Sequence, residues 1–143
     1  MKRAYFLVAT SLPLVLAVSA WSADFKPYPD AKLDPKATQD AQEGAAMVHA
    51  KASVYTTTDA FEKVYDFYKG VAKETTLGHF SPKGTTSALT GQTMKAAFFI
   101  FDDAPTLASS KLWIKVQRPA IGLYKEDLKG VNDVTAIVVS ETK

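Results

Sequence analysis

The chain has 143 residues, no cysteine, and 17 Lys plus Arg against 15 Asp plus Glu. Its length suits a single domain, and the missing cysteine excludes disulfides, thiol catalysis and lipid attachment at a cysteine. Without a basic run it has no general electrostatic pull on phosphate backbones or anionic lipid, so neither nucleic acid nor a charged membrane surface is an expected partner.

Lys2 and Arg3 precede an apolar stretch from Ala4 to Val18, and the small residues Ser19, Ala20, Ser22 and Ala23 follow. This is the three-part pattern of a secretory signal rather than of an uncleaved anchor. Cleavage after Ala20 is favoured over a cut after Ser22; a cut after Ala23 would place Trp21 where a small residue is needed. Losing Lys2 and Arg3 leaves fifteen basic and fifteen acidic residues. The longest later apolar run, Ala96 to Phe101, is too short to span a bilayer. The expectation is a periplasmic or secreted protein with no membrane anchor after cleavage. The expected organisation is a signal over 1–20, an N-terminal arm over 21–45 and one α+β domain over 46–143.

In the arm, Asp34-Pro35 ahead of Lys36 to Glu43 predicts a short helix. Asp34 is its N-cap, Pro35 its first residue and Gly44 its stop. From Ala46 to Thr57 the residues alternate, with Ala46, Val48, Ala50, Ala52 and Val54 on one face, which predicts a half-buried strand. The small Ala50 and Ala52 leave room for a helix to approach. Asp59 with Glu62 three residues on resembles a capping box. Phe61, Val64, Tyr65, Tyr68, Val71 and Ala72 then recur at helical spacing, predicting a long amphipathic helix that ends near Glu74.

Residues 75–91, rich in Gly, Ser and Thr, predict a loop or an irregular strand pair. Gln92 to Phe101 predicts a strand whose aromatic end, Phe98, Phe99 and Phe101, is buried on both faces. Asp102-Asp103-Ala104-Pro105 breaks it. Lys111 to Arg118 alternates, with Leu112, Ile114 and Val116 opposite Lys111, Trp113, Lys115 and Gln117, and Pro119 ends it. Residues 120–133 connect to a last strand, Val134 to Glu141. This order predicts an α+β fold with one long helix packed on a mainly antiparallel four-stranded sheet, of cystatin-like or nuclear-transport-factor-like shape.

Tyr28-Pro29-Asp30-Ala31, the run from Val54 to Lys69 and Asp133-Val134-Thr135-Ala136-Ile137 together resemble a group of small exported bacterial proteins. Those combine a YP-x-A arm, a T-x-D-x-F-E-x-V-x-x-F-Y-K helix and a final D-V-T-x-I strand. The resemblance spans most of the mature chain. It implies a shared strand, cap and helix, and transfers no activity and no catalytic residue.

Chemical motifs are sparse. His49 and His79 are the only histidines, too far apart in sequence for a metal-ligand pattern, so no metal or other cofactor is expected. Asp102-Asp103 lacks a calcium-loop pattern and predicts a solvated hairpin tip. The segment Gly84 to Gly91 lacks the Gly-Lys-Ser/Thr of a phosphate loop, and no G-x-S-x-G or S-x-x-K occurs. The aromatic set Tyr55, Phe61, Tyr68, Phe98, Phe99 and Phe101 suits either a core or an apolar pocket. Two classes of function remain. The first is a non-enzymatic binding or accessory domain whose partner is an envelope protein or a small apolar ligand. The alternative is a small hydrolase or isomerase with an acid–base residue in a curved sheet. The candidate contact surface is the loop 75–91 with the turn 102–110; its anchors are His79 and Phe80, with the sheet face around Lys51, Tyr55 and Trp113 in reserve.

Overall fold

The computed structural model describes residues 24–88, 91–120 and 132–143; the expected signal segment and most of the 120–133 connection lie outside them. The described elements are β1 (Lys32–Leu33), α1 (Pro35–Ala46), β2 (Ala50–Thr57), α2 (Phe61–Lys69), β3 (Lys73–Thr75), β4 (Thr85–Thr86), β5 (Thr93–Ile100), β6 (Leu112–Arg118) and β7 (Thr135–Thr142). The chain is α+β, but one long helix on four strands is not what forms. The described residues build a seven-stranded antiparallel sheet in the order β1-β2-β7-β6-β5-β3, with β4 paired to β5 off that path. Its two helices are short, of 12 and 9 residues. The cystatin-like and nuclear-transport-factor-like versions fall with the long helix. The extra strands escape sequence reading because β1, β3 and β4 are pieces of two or three residues, too short for alternation to emerge.

The helix boundaries shift for identifiable reasons. Asp34 caps α1 as expected, accepting the Ala37 N–H at 3.0 Å, with Pro35 in the first turn. Gly44 does not stop the helix, because its αR backbone needs no special freedom and nothing crowds it. The reversal comes at His49, with φ 56°, so β2 starts at Ala50 instead of Ala46. The second helix ends five residues early. The Gly70 N–H turns back to the Phe67 carbonyl at 3.2 Å, and Lys73 to Thr75 pair with Ile100 to Phe98 at the sheet edge. Edge pairing thus takes the residues that helical spacing had assigned to the last turn.

Asp59 does not cap α2. Ala60 occupies the N-cap with no side-chain bond. The Asp59 carboxylate instead accepts the Tyr28 hydroxyl at 2.6 Å and pairs with Lys63 at 3.0 Å. The Asp59 carbonyl accepts from Arg118 Nη1 at 2.8 Å and from the Thr135 hydroxyl at 2.7 Å. One residue thereby ties the arm, α2, β6 and β7 together.

The period-two alternation of the strands sends side chains to two faces. On the first face, Phe61, Val64 and Tyr68 of α2 cover Ala97, Phe99, Ile114, Val116, Ile137 and Val139, and Tyr28 of the arm joins them. On the second, α1 lays Ala37 against Val54, Ala120 and Ala136. The helix that uses the space left by Ala50 and Ala52 is therefore α1. Its side chains also finish the sheet edge. Gln42 donates to the Ala50 carbonyl at 3.2 Å and accepts the Ala52 N–H at 2.8 Å, and the Thr38 hydroxyl accepts the Val54 N–H at 2.9 Å. Among the described residues α1 covers the β2 end of the second face and the loop 76–88 lies over the β5–β6 end.

A candidate ligand groove under the loop 76–88

The loop is held over the sheet by its own hydrogen bonds. The Phe80 N–H reaches the Leu77 carbonyl at 3.3 Å, and the Gly84 N–H reaches the Ser81 carbonyl at 3.1 Å. Gly84 sits at φ 104° with Thr93 Cγ2 only 2.8 Å from where a Cβ would lie, so a side chain there would be strained and crowded. The Ala96 N–H donates to the Ser81 carbonyl at 3.0 Å, which fastens the loop to β5. The Thr85 hydroxyl donates to the His79 carbonyl at 2.7 Å. These bonds place Phe80 against Phe98, with ring centroids 5.7 Å apart at 62°, and stack His79 on the Phe80 ring at 4.7 Å.

Between this loop and the sheet lies a cavity of about 550 Å³, lined by His79, Phe80, Met94, Lys115 and Gln117 together with hydroxyl and amide groups of the β4–β5 hairpin. Its size falls in the range of small-molecule sites. Lys115 rises from the middle of β6, paired between Phe98 and Val138. Its ammonium lies 4.1 Å from the Phe80 ring centroid and 5.8 Å from that of Phe98. Such ring faces attract a cation, but burial dominates and pushes the amine down from its ordinary 10.5 to about 8. Among the described residues no carboxylate pairs with it. Gln117, 2% exposed, donates to the Pro119 carbonyl at 3.2 Å, which holds its amide at the end of the groove.

No known protein family, curated protein or solved structure matches this chain. The site therefore rests on its own geometry.

The structure brings the expected anchors His79 and Phe80 together on the groove and leaves the turn 102–110 at the opposite end of the β5–β6 hairpin. That turn is braced from within. Burial alone would raise Asp102, but hydrogen bonds from the Lys111 N–H (2.6 Å) and the Ser110 hydroxyl (2.7 Å) outweigh it and hold the carboxyl low. Of the aromatic set, Phe61 and Tyr68 of α2 and Phe99 of β5 lie in the core of the first face with Tyr55 and Phe101 packed against it, and Phe98 packs on Phe80 on the second face. The reserve surface divides as well, because Lys51 and Tyr55 point to the first face and Trp113 to the second. His49 and His79 stand on separate elements, and the described residues hold no cluster of three or more metal-ligating groups.

Two other hollows flank the start of α2, and the charges of the first are committed. Lys95 pairs with Glu62. Arg118 binds Asp133 at 3.1 Å and the Thr58 carbonyl at 3.3 Å. Sequence reading missed Lys115 and Met94. Alternation put Lys115 on the polar face of its strand, where a solvated ammonium is the default. The available signal was its neighbour on β5, since an aromatic strand end covered on both faces implies cover above the adjoining lysine too.

Proposed function

We propose that this chain is an exported, non-enzymatic binding module, periplasmic or secreted, and that the groove under the loop 76–88 holds a small flat apolar molecule bearing one acidic group. The observation that carries this reading is the Lys115 ammonium. It is partly buried on aromatic rings and lacks a carboxylate partner among the described residues. A buried cation without a counter-ion is costly, and a ligand anion supplies the missing charge. Phe80, itself packed on Phe98, and Met94 give the ligand apolar walls, and the Thr85, Thr86 and Gln117 polar groups orient it. The Lys2-Arg3 start, the apolar run to Val18 and the small residues after it support a protein that meets its ligand in the envelope or outside it.

Methionine-methyl NMR tests this. Met94 lines the groove, while Met47 is 84% exposed on the turn after α1 and serves as the internal control. Titration with 2-naphthoate should shift the Met94 methyl saturably and leave Met47 unchanged. Lys115→Met should weaken the carboxylate by roughly tenfold or more, the worth of one charge-assisted bond, and leave 2-naphthalenemethanol nearly unaffected. Equal, non-saturating shifts of both methyls would overturn the proposal.

A further inference from the structure

We propose that Lys115 also captures carbonyl compounds, its side-chain amine condensing reversibly with a small aromatic aldehyde seated in the groove to form an imine. This rests on the groove being a ligand site and names a second substrate class for it.

Three observations converge on this residue. The amine lines a cavity large enough for one ring system, and Phe80, itself packed on Phe98, offers the ring against which a flat conjugated carbonyl would stack. No carboxylate among the described residues holds the nitrogen in its charged form, whereas Lys63 is paired to Asp59 and Lys95 to Glu62. Burial favours the neutral amine, which carries the nucleophilic lone pair, as in lysines activated by apolar pockets.

The step balances without a redox partner. The nitrogen lone pair of Lys115 forms a bond to the aldehyde carbon while the C=O π electrons move to oxygen. A proton passes from nitrogen to that oxygen to give the carbinolamine. A second proton converts the hydroxyl into leaving water, the C=N bond forms, and the nitrogen proton returns to solvent. The net change is one aldehyde plus one amine giving one imine plus one water. Water entering the open groove supplies and removes these protons.

The test is cyanoborohydride trapping with 2-naphthaldehyde on the intact mature protein at pH 7, followed by peptide mapping of every lysine. The expected result is labelling at Lys115 roughly tenfold or more above any other lysine, suppressed by excess 2-naphthoate. Lys115→Arg should lose that label and keep the background on surface lysines. The map of the unmodified sequence stands even where the variant folds poorly. Labelling spread over the lysines by exposure, with Lys115 not preferred, would overturn the proposal. If 2-naphthoate still shifts the Met94 methyl in that case, the binding module stands and only the imine falls; if it does not, both fall together.

Discussion

Asp59 and Lys115 are opposite cases of a charge placed by the fold. The Tyr28 hydroxyl bond, with a further contribution from Lys63, holds the Asp59 carboxyl below its ordinary range, while burial and the same bond raise Tyr28 to about 12. A depressed carboxylate stabilises the fold at pH values above the ordinary pKa of about 3.9 and loses that contribution as pH falls through the folded value. Tyr28→Phe should therefore lower the thermal midpoint near pH 6, with the gap to the unmodified protein closing as pH falls below the ordinary carboxylate value of about 3.9. A gap that stays constant with pH would assign Tyr28 to packing alone. Lys115 has the reverse sign. Its folded value of about 8 lies under the ordinary 10.5, so the unfolded chain binds more protons between the two, and stability rises with pH across that window. Lys115→Met should gain roughly 1–2 kcal/mol at pH 7, after allowance for the charge that water still screens, with the gain fading from about pH 8 and gone above about pH 10.5. Urea unfolding at a series of pH values checks it. Neither role was legible in the sequence. Asp59 had the spacing of an N-cap, and its bond to Tyr28 spans a separation of 31 residues that no local pattern encodes.

At the scale of elements, α1 has little apolar surface and owes its place to polar contacts. Ala37 is its one buried residue, yet Gln42 and Thr38, one helical turn apart, occupy the outward N–H and C=O groups of β2. An unguarded edge strand pairs with other chains. Gln42→Ala should cost about 1–2 kcal/mol in chemical denaturation, as two net hydrogen bonds are lost, and should raise self-association in concentration-dependent light scattering. Loss of stability with an unchanged monomer would show that Thr38 and β1 suffice to guard the edge. The Asp34-Pro35 start of α1 was legible because capping is local chemistry. Its end at Ala46 and the early end of α2 were not, because the reversal at His49, the pairing of Ala50 with Thr142 and that of Lys73 to Thr75 with β5 decide them. The alternation of Leu112 to Arg118 did locate a strand, since a core on one face imposes period two wherever the strand is long enough.

Across the whole molecule the sheet divides its labour between faces. The first face, under α2, is closed and rich in aromatic rings, with Phe61 2% exposed and Tyr68 and Phe99 fully buried. Among the described residues the second is shared between α1 and the loop 76–88, with the groove lying between that loop and the strands. The sequence showed that Phe98 to Phe101 would be covered on both sides. It did not show that the two covers differ, one a helix face and the other a hydrogen-bonded loop. This division predicts that stability and binding separate by face. Phe61→Ala removes a ring from the closed core and should cost roughly 3–5 kcal/mol. It should leave the affinity of the folded fraction for 2-naphthoate nearly intact. Phe80→Ala removes one edge-to-face partner of Phe98 and the ring beneath the Lys115 ammonium. It should cost only about 1–2 kcal/mol, yet weaken 2-naphthoate binding at least about tenfold. His79→Ala, which loses a stack on Phe80, should change affinity in the same direction and less, with the midpoint almost unmoved. Denaturation and Met94 methyl titration on the same samples give both quantities. If Phe80→Ala unfolds the protein as severely as Phe61→Ala while the remaining folded molecules bind 2-naphthoate normally, the loop ring is scaffold, and the ligand must lie elsewhere on the second face, beside Trp113 and Ser140.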